Sequence, residues 1–339
     1  MTKRVYVKDI PIGGGSRVSV QSMCNTLTSD FDAIFKSILE LAEAGCDIVR
    51  VSVPDLESVK SLKKLVLESP IPVVADVHYD YKLALESIEA GAHKLRINPG
   101  NLKKEHLRQV AMLAKERGVP IRVGVNQGSQ SIKLSPSELA KLCRDTALYM
   151  EDCGTDELVL AVKSSSVMDT ISAYRELSKM TDYPLHVGLT EAGTLNMGVT
   201  KSNIAIGALL ADGIGDTIRV SLTTSPIREV EEGKKILRAL GLDKNFVEVV
   251  ACPTCARTCI DVEKYAQEIE NLTKNVKKPL KIAVMGCSVN GIGEAKGADF
   301  GVCGGKSQSI IFKDSEVLKS VDNYKVLDEL IKLTESYND

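Results

Sequence analysis

The sequence predicts a closed (β/α)8 TIM barrel followed by a small α/β domain. Three observations predict it. Eight short β-branched runs recur at regular intervals, amphipathic helical stretches separate them, and the alternation stops at Gly241 before a polar junction, Asp243-Lys244-Asn245. Alternating strand and helix implies parallel pairing, because each crossover needs a helix to return the chain.

The predicted strands cover residues 18–23, 48–53, 73–77, 94–97, 122–125, 158–162, 186–189 and 218–222. Helical patterns lie between them, among them 31–44, 81–90, 103–117, 137–152 and 227–240. Gly45, Gly91, Gly118, Gly154 and Gly241 supply C-terminal stops. Eight such units in residues 1–243 fit a closed barrel, whose usual size is about 250 residues. An open doubly wound sheet would call for a glycine-rich dinucleotide loop after the first strand, and none follows it. Residues 244–339 then form the second domain. It reads as a strand at 246–250, a cysteine-bearing turn, a helix at 261–272 and a strand at 281–285. A glycine-rich loop, strands at 298–302 and 309–312 and a last helix at 324–336 complete it.

Composition is that of an ordinary globular chain, 44% hydrophobic and 26% charged. Lys and Arg (43) nearly cancel Asp and Glu (45), so bulk charge argues for neither a nucleic-acid nor a membrane partner. Residues 1–15 carry charges every few positions and lack a signal-like apolar run, which points to the cytoplasm. Nine cysteines, an odd number spread over a long chain, do not resemble a secreted disulfide framework. Cys24, Cys46, Cys143 and Cys153 fall in barrel positions where free buried cysteine is ordinary.

Charged side chains inside barrel strands are costly unless they face the open carboxyl-end mouth. Nearly every predicted strand carries one. The cations are Arg50, Arg96, Arg122, Lys163 and Arg219, and the accompanying polar residues include Asn98, Asn126 and Ser221. Five cations converging from five strands repel one another, and the two carboxylates beside them, Asp76 and Glu191, are too few to neutralise them. An anionic ligand resolves the conflict, and arginine forks suit phosphate oxygens. Asp76 and Glu191 are the acid–base candidates, although either also fits a simple ion pair with an arginine. His78 reads as a hydrogen-bonding support at the mouth, and His93, His106 and His186 as structural.

Cys252 and Cys255 have the C-x-x-C spacing that lets two thiolates reach one metal centre. Cys287 follows 32 residues later, at a strand end, and Glu294 seven residues after that, among Gly286, Gly291 and Gly293. Three chemistries compete for this set. A zinc site would draw a second C-x-x-C or a histidine, and no histidine follows His186. A thiol redox pair would need neither Cys287 nor the glycine loop. A 4Fe–4S cluster accounts for three thiolates plus one weaker fourth ligand. The rival from another class is a non-redox barrel transferase, pterin- or phosphate-binding, with a zinc-stabilised accessory module.

The segments Ala251-Cys-Pro-Thr-Cys-Ala-Arg-Thr and Val284-Met-Gly-Cys-Ser-Val-Asn-Gly-Ile-Gly-Glu-Ala resemble those of bacterial 4-hydroxy-3-methylbut-2-enyl diphosphate synthases of the methylerythritol phosphate isoprenoid pathway. So do Ile12-Gly-Gly-Gly, Leu95-Arg-Ile-Asn-Pro-Gly-Asn, Gly188-Leu-Thr-Glu-Ala-Gly and Gly213-Ile-Gly-Asp-Thr-Ile-Arg-Val-Ser-Leu-Thr in the barrel. The resemblance implies reduction of 2-C-methyl-D-erythritol 2,4-cyclodiphosphate to 4-hydroxy-3-methylbut-2-enyl diphosphate, with electrons from reduced flavodoxin or ferredoxin. It implies cluster ligation by Cys252, Cys255, Cys287 and Glu294. It also implies diphosphate binding by Arg50, Arg96, Arg122, Lys163 and Arg219, assisted by Asn98, Asn126 and Ser221. Glu191 and Asp76 match acidic positions near the reacting carbons, with Glu191 the better proton donor.

The second domain follows the last barrel helix, on the side expected to lie away from the mouth. The resemblance accordingly implies a homodimer in which each cluster domain caps the partner's barrel. The short junction places the chain in the two-domain form. Two departures stand out. Ile292 occupies a position where the family carries proline and is expected to loosen the loop presenting Glu294, and Cys259 and Cys303 are extra thiols outside the implied ligand set.

Overall fold

The computed structural model describes residues 1–274, 276–289 and 291–337, and its backbone divides into two compact units, Met1–Leu242 and Asp243–Asp339. In the first unit the barrel strands are β3 (Ser19–Met23), β4 (Ile48–Ser52), β5 (Val73–Asp76) and β6 (Lys94–Ile97), then β7 (Ile121–Asn126), β8 (Leu158–Lys163), β9 (His186–Val187) and β10 (Thr217–Ile218). They pair in parallel in the order β8-β7-β6-β5-β4-β3-β10-β9, and a parallel bridge from Leu160 to Leu185 closes the ring. A helix follows each strand: α1 (Phe31–Glu43), α2 (Leu56–Glu68), α3 (Tyr81–Glu89), α4 (Lys104–Arg117), α5 (Pro136–Asp152), α6 (Val167–Met180), α7 (Leu195–Ala211) and α8 (Pro226–Ala239). Side chains of Asp30, Asp55, Asp80, Ser135 and Ser166 cap N-termini, satisfying amides that have no intrahelical partner. The five predicted stop glycines all take positive φ.

The last two barrel strands are two residues long, shorter than predicted. Beyond Val187 the chain is crowded, because a Cβ on Gly188 would stand 2.4 Å from the Arg219 carbonyl oxygen. A hairpin not anticipated from the sequence precedes the barrel, β1 (Arg4–Val7) against β2 (Ile10–Gly13), antiparallel. Its Val5, Val7 and Ile12 pack on Ile48, Val74 and Val159 at the amino-terminal end of the barrel.

Strand residues alternate between faces. Val20, Val49, Val51, Ala75, Leu95, Ile97, Val123, Leu160, Val162 and Val187 belong to the large apolar core shared with the helices. The intervening positions include Gln21, Arg50, Asp76, Lys94, Arg96, Arg122, Lys163, His186 and Arg219. The interior of this barrel is therefore largely polar, where branched apolar side chains usually fill the space.

The second unit holds a five-stranded sheet in the order β11 (Val247–Ala251), β12 (Leu280–Met285), β13 (Phe300–Cys303), β14 (Gln308–Lys313) and β15 (Glu316–Asp322). The first three strands are parallel and the last two antiparallel. Helices α9 (Val262–Thr273) and α11 (Val326–Ser336) cover an apolar layer built from Ile269, Ile282, Val284, Phe300, Val302, Ile311 and Leu330. A second apolar cluster joins Ala283, Met285, Ala295, Ala298, Cys303 and Phe312, with Cys252 and Ile292 packed against it. Between β12 and β13 lies one helical turn, α10 (Gly291–Glu294).

Candidate active site

The carboxyl ends of the barrel strands surround an open cavity. Its wall includes Arg50, Arg96, Arg122, Asn126, Lys163, Thr190, Arg219 and Ser221. The structure thus brings the five predicted cations together, and every one of them is largely buried. Two buried carboxylates stand beside them. Asp76 accepts from Arg96 NH1 at 2.9 Å and lies 3.5 Å from both Arg50 Nε and His78 Nε2. Glu229, on α8, accepts from Ser22 Oγ at 3.1 Å, Arg219 Nε at 3.2 Å and the Leu222 amide at 2.9 Å.

Among the described residues neither Arg122 nor Lys163 has a carboxylate partner, and Arg50 turns its Nε and NH2 to the sulfur of Met23, at 3.1 and 2.8 Å. Burial disfavours the charged forms of Arg122 and Lys163, and the neighbouring arginines add to this, so both are pushed well below their ordinary pKa. Burial raises the Asp76 carboxyl, but Arg50, His78 and Arg96 overcome it and hold the group well below the usual carboxylate range. Asp76 is a permanent anion that braces two arginines. Glu191 has no ion pair among the described residues, stands exposed at the rim, and adopts φ +53°, a strained setting for a side chain of its kind. Asn98 departs from expectation. Its Oδ1 caps the Gly100 amide at 3.1 Å and its Nδ2 donates to Ser129 at 2.9 Å, so its polar atoms fasten two rim loops instead of facing the cavity.

In the second unit the cysteines gather at the carboxyl ends of the three parallel strands. Cys252 follows β11, Cys287 follows β12 by two residues, and Cys303 ends β13. The register sets Ala251 beside Val284 and Met285 beside Cys303. Gly286 ties the two loops together, its amide donating to Cys252 Sγ at 3.1 Å and its carbonyl accepting from the Cys259 amide at 2.8 Å. A Cβ on Gly286 would meet the methyl groups of Thr258 and Val262 at 3.0 Å, so the approach is tight for any larger residue. The Arg257 amide and the Thr258 hydroxyl draw the Cys255 thiol below its ordinary value, toward thiolate. Cys255 and Glu294 are exposed, and Cys252 and Cys287 are half-buried. Burial pushes the Cys303 thiol up to about 11, and Cys259 Sγ donates to the Arg257 carbonyl at 3.2 Å.

Residues 2–234 match the GcpE TIM-barrel domain and residues 248–336 match the GcpE protein C-terminal domain. The chain belongs to the GcpE family. The 4-hydroxy-3-methylbut-2-en-1-yl diphosphate synthase (flavodoxin) of Caldanaerobacter subterraneus subsp. tengcongensis is 49% identical, the match covering 98% of this chain and 96% of that protein. The Clostridium perfringens protein of the same name is 46% identical, across 99% and 98%. Among solved structures, dihydropteroate synthase from Yersinia pestis shares 16% identity and a TM-score of 0.54, covering 71% of this chain and 99% of its own. At that identity the likeness speaks for the barrel fold alone, and the GcpE match gives the transferase alternative no support.

Within this GcpE barrel and its partner domain, several site residues escaped the sequence reading. Glu229, inside the predicted helical stretch 227–240, carries no motif that marks it, yet it is buried and braces Arg219. Met23 reads as a strand end, and Lys94 as a strand start. Cys153 is half-buried at the end of α5, not buried. Ile292 is half-buried in the turn that carries Glu294 and packs against the second apolar cluster, which includes Cys303.

Proposed function

We propose that this chain reduces 2-C-methyl-D-erythritol 2,4-cyclodiphosphate to (E)-4-hydroxy-3-methylbut-2-enyl diphosphate, with loss of water. The observation that carries the reading is the cavity, where five buried cations face two buried carboxylates. Such a site is completed by a polyanion, because the excess positive charge is costly until an anion enters. Arg50, Arg96, Arg122, Lys163 and Arg219, with Asn126 and Ser221, hold the diphosphate. They also stabilise the charge released on phosphate when a ring C–O bond breaks. Glu191, exposed at the rim and free of an arginine, supplies the proton with which a hydroxyl leaves as water. Asn98 fixes the loops around them.

The donor set of the second unit fits a 4Fe–4S cluster. A cubane takes one protein ligand at each iron corner, so its ligands spread over a surface and do not converge on one point. Among the described residues no three Cys, His, Asp or Glu side chains converge closely enough to hold a single ion. Cys252, Cys255 and Cys287 supply thiolates, with the Gly286 amide already bonded to one sulfur, and Glu294 supplies a harder oxygen donor. When bound, the cluster delivers electrons singly, two per turnover, from reduced flavodoxin or ferredoxin.

The exposed apolar residues Leu27, Tyr79 and Ile132 lie on the loops that follow β3, β5 and β7, and Met168 and Met197 in the first turns of α6 and α7, the helices that follow β8 and β9. A ring of this kind asks for a cover, and a homodimer in which each cluster domain caps the partner's barrel provides one. No helix among the described residues is long and apolar enough to cross a membrane. The test is anaerobic turnover of the cyclodiphosphate with a chemical reductant, alongside iron and sulfide analysis. Protein replete in both that forms no product overturns the reading.

A further inference from the structure

We propose that Lys94, buried in the barrel interior beneath the substrate cavity, is a positioning residue that takes up a proton when the diphosphate binds and so adds a sixth positive charge to the bound state. This rests on the diphosphate reading above and extends it to a residue that reading leaves idle.

Lys94 opens β6 and lies on the same face as Arg96, two residues deeper along the barrel axis. It is fully buried, and among the described residues its amine has one hydrogen-bond partner, donating to Gln21 Oε1 at 3.4 Å. The groups facing it are Gln21 from β3, Arg50 from β4, Arg122 from β7 and His186 from β9. From β5 it meets Val74 in register. None of these is a carboxylate, for Asp76 is engaged by Arg50 and Arg96 and Glu229 by Arg219.

The surrounding floor is rich in polar atoms without protein partners. They are Gln21 Nε2, Arg122 Nε and NH1, both ring nitrogens of His186, Ser19 Oγ and Thr217 Oγ1. His186, Thr217 and Ser19 form one continuous register row across β9, β10 and β3. The hairpin residues Val5, Val7 and Ile12 close the barrel beneath, so the cavity lies on the other side of this layer, toward the mouth. A cluster of unmatched buried polar groups in a native fold calls for a charge or a solvent network to satisfy it.

A free lysine here is disfavoured as a cation. Burial, then Arg122 and Arg50, push it well below its ordinary value, and His186 is likewise held neutral. The ligand reverses the sign of the local field. A polyanion seated on Arg96 and Arg122 lies about two residues above Lys94, roughly 7 Å of strand rise, where the attraction is strong in a partly dry site. The amine then gains a proton from solvent and becomes an ammonium that attracts the phosphates across the layer of Arg96 and Arg122. Binding tightens as pH falls, because the proton is consumed on binding.

The experiment is isothermal titration of the full-length oxidised protein with the cyclodiphosphate, without reductant, at pH 7.5 in two buffers of different ionisation enthalpy. Wild type is expected to take up protons on binding. Lys94→Met and Lys94→Arg are expected to take up about one fewer, and Lys94→Met to bind about tenfold more weakly or worse, a change seen in KM more than in kcat. His186→Gln keeps the proton uptake. Binding by wild type with no buffer dependence overturns the inference alone and needs no variant to fold. Unchanged uptake in Lys94→Met, or its loss in His186→Gln, overturns it as well. No binding of the cyclodiphosphate at all removes the reading beneath it and the inference together.

Discussion

Asp76→Asn tests how the cavity is held together before any ligand arrives. The carboxylate is buried and touches Arg96, Arg50 and His78, at 2.9, 3.5 and 3.5 Å. Removing one partner of a buried ion pair costs about 3–5 kcal/mol. Asparagine keeps one hydrogen-bond acceptor, so a loss of about 3 kcal/mol is expected, a large share of the 5–15 kcal/mol typical of a domain. The sign with pH follows from the depressed folded pKa. The stabilisation is fully present above the unfolded value of about 3.9 and is lost as pH falls through the lower folded value. Urea denaturation followed by far-UV circular dichroism suits a chain without tryptophan. At pH 7 the variant should unfold earlier than wild type by the full margin, and the margin should shrink below about pH 4. Inorganic pyrophosphate should restore part of the loss at pH 7 by binding the folded barrel. A variant as stable as wild type at pH 7, or a margin that acid leaves untouched, would refute the bracing role.

Lys163→Met removes a cavity cation that has no carboxylate partner, so it should weaken cyclodiphosphate binding by about 1.5–3 kcal/mol, roughly 10- to 150-fold in Kd, without lowering thermal stability. Calorimetry and a melting curve on the same sample check both halves. Gly291→Ala should destabilise the second unit by about 1–3 kcal/mol, because a Cβ there would lie 2.4 Å from Cys303 Sγ. Adding Cys303→Ala, which removes the sulfur but keeps a Cβ at 2.9 Å, should recover part of that in a double-mutant cycle, and strict additivity would show that the contact is not the cause. Mixing Cys287→Ala with Arg96→Ala protein should restore part of the activity if each cluster domain serves the partner's barrel. No recovery, under conditions where subunits exchange, would argue against that arrangement.

Much of the barrel was legible because its strands obey two rules at once. Runs such as Ile48–Ser52 and Leu158–Lys163 are β-branched and buried, and each is followed by a helix with a capped start. The mouth was legible because a buried charge is expensive, so arginines inside such runs point to a ligand. The hairpin was not, since β1 and β2 are four residues each and alternate with exposed charges such as Arg4 and Lys8. Strand β15 escaped for a related reason. It is mostly exposed, so no burial pattern marks it, and only pairing with β14 makes it a strand. Asn98 and Glu229 show the limit for side chains. Motif and spacing give the residue type, but whether its polar atoms face the cavity or fasten a loop depends on loop geometry that the chain settles only when folded.

The first dozen residues, which look dispensable in a linear chain, act as a stopper. Trimming them would turn a cup into a pipe. Val74 and Val159 would be laid bare to solvent, and the lysine beneath the arginines would behave like any surface lysine, charged with or without a guest. A shortened protein could then keep every residue that touches the ligand and still lose its grip, since discrimination between empty and filled states depends on dryness supplied from the far end.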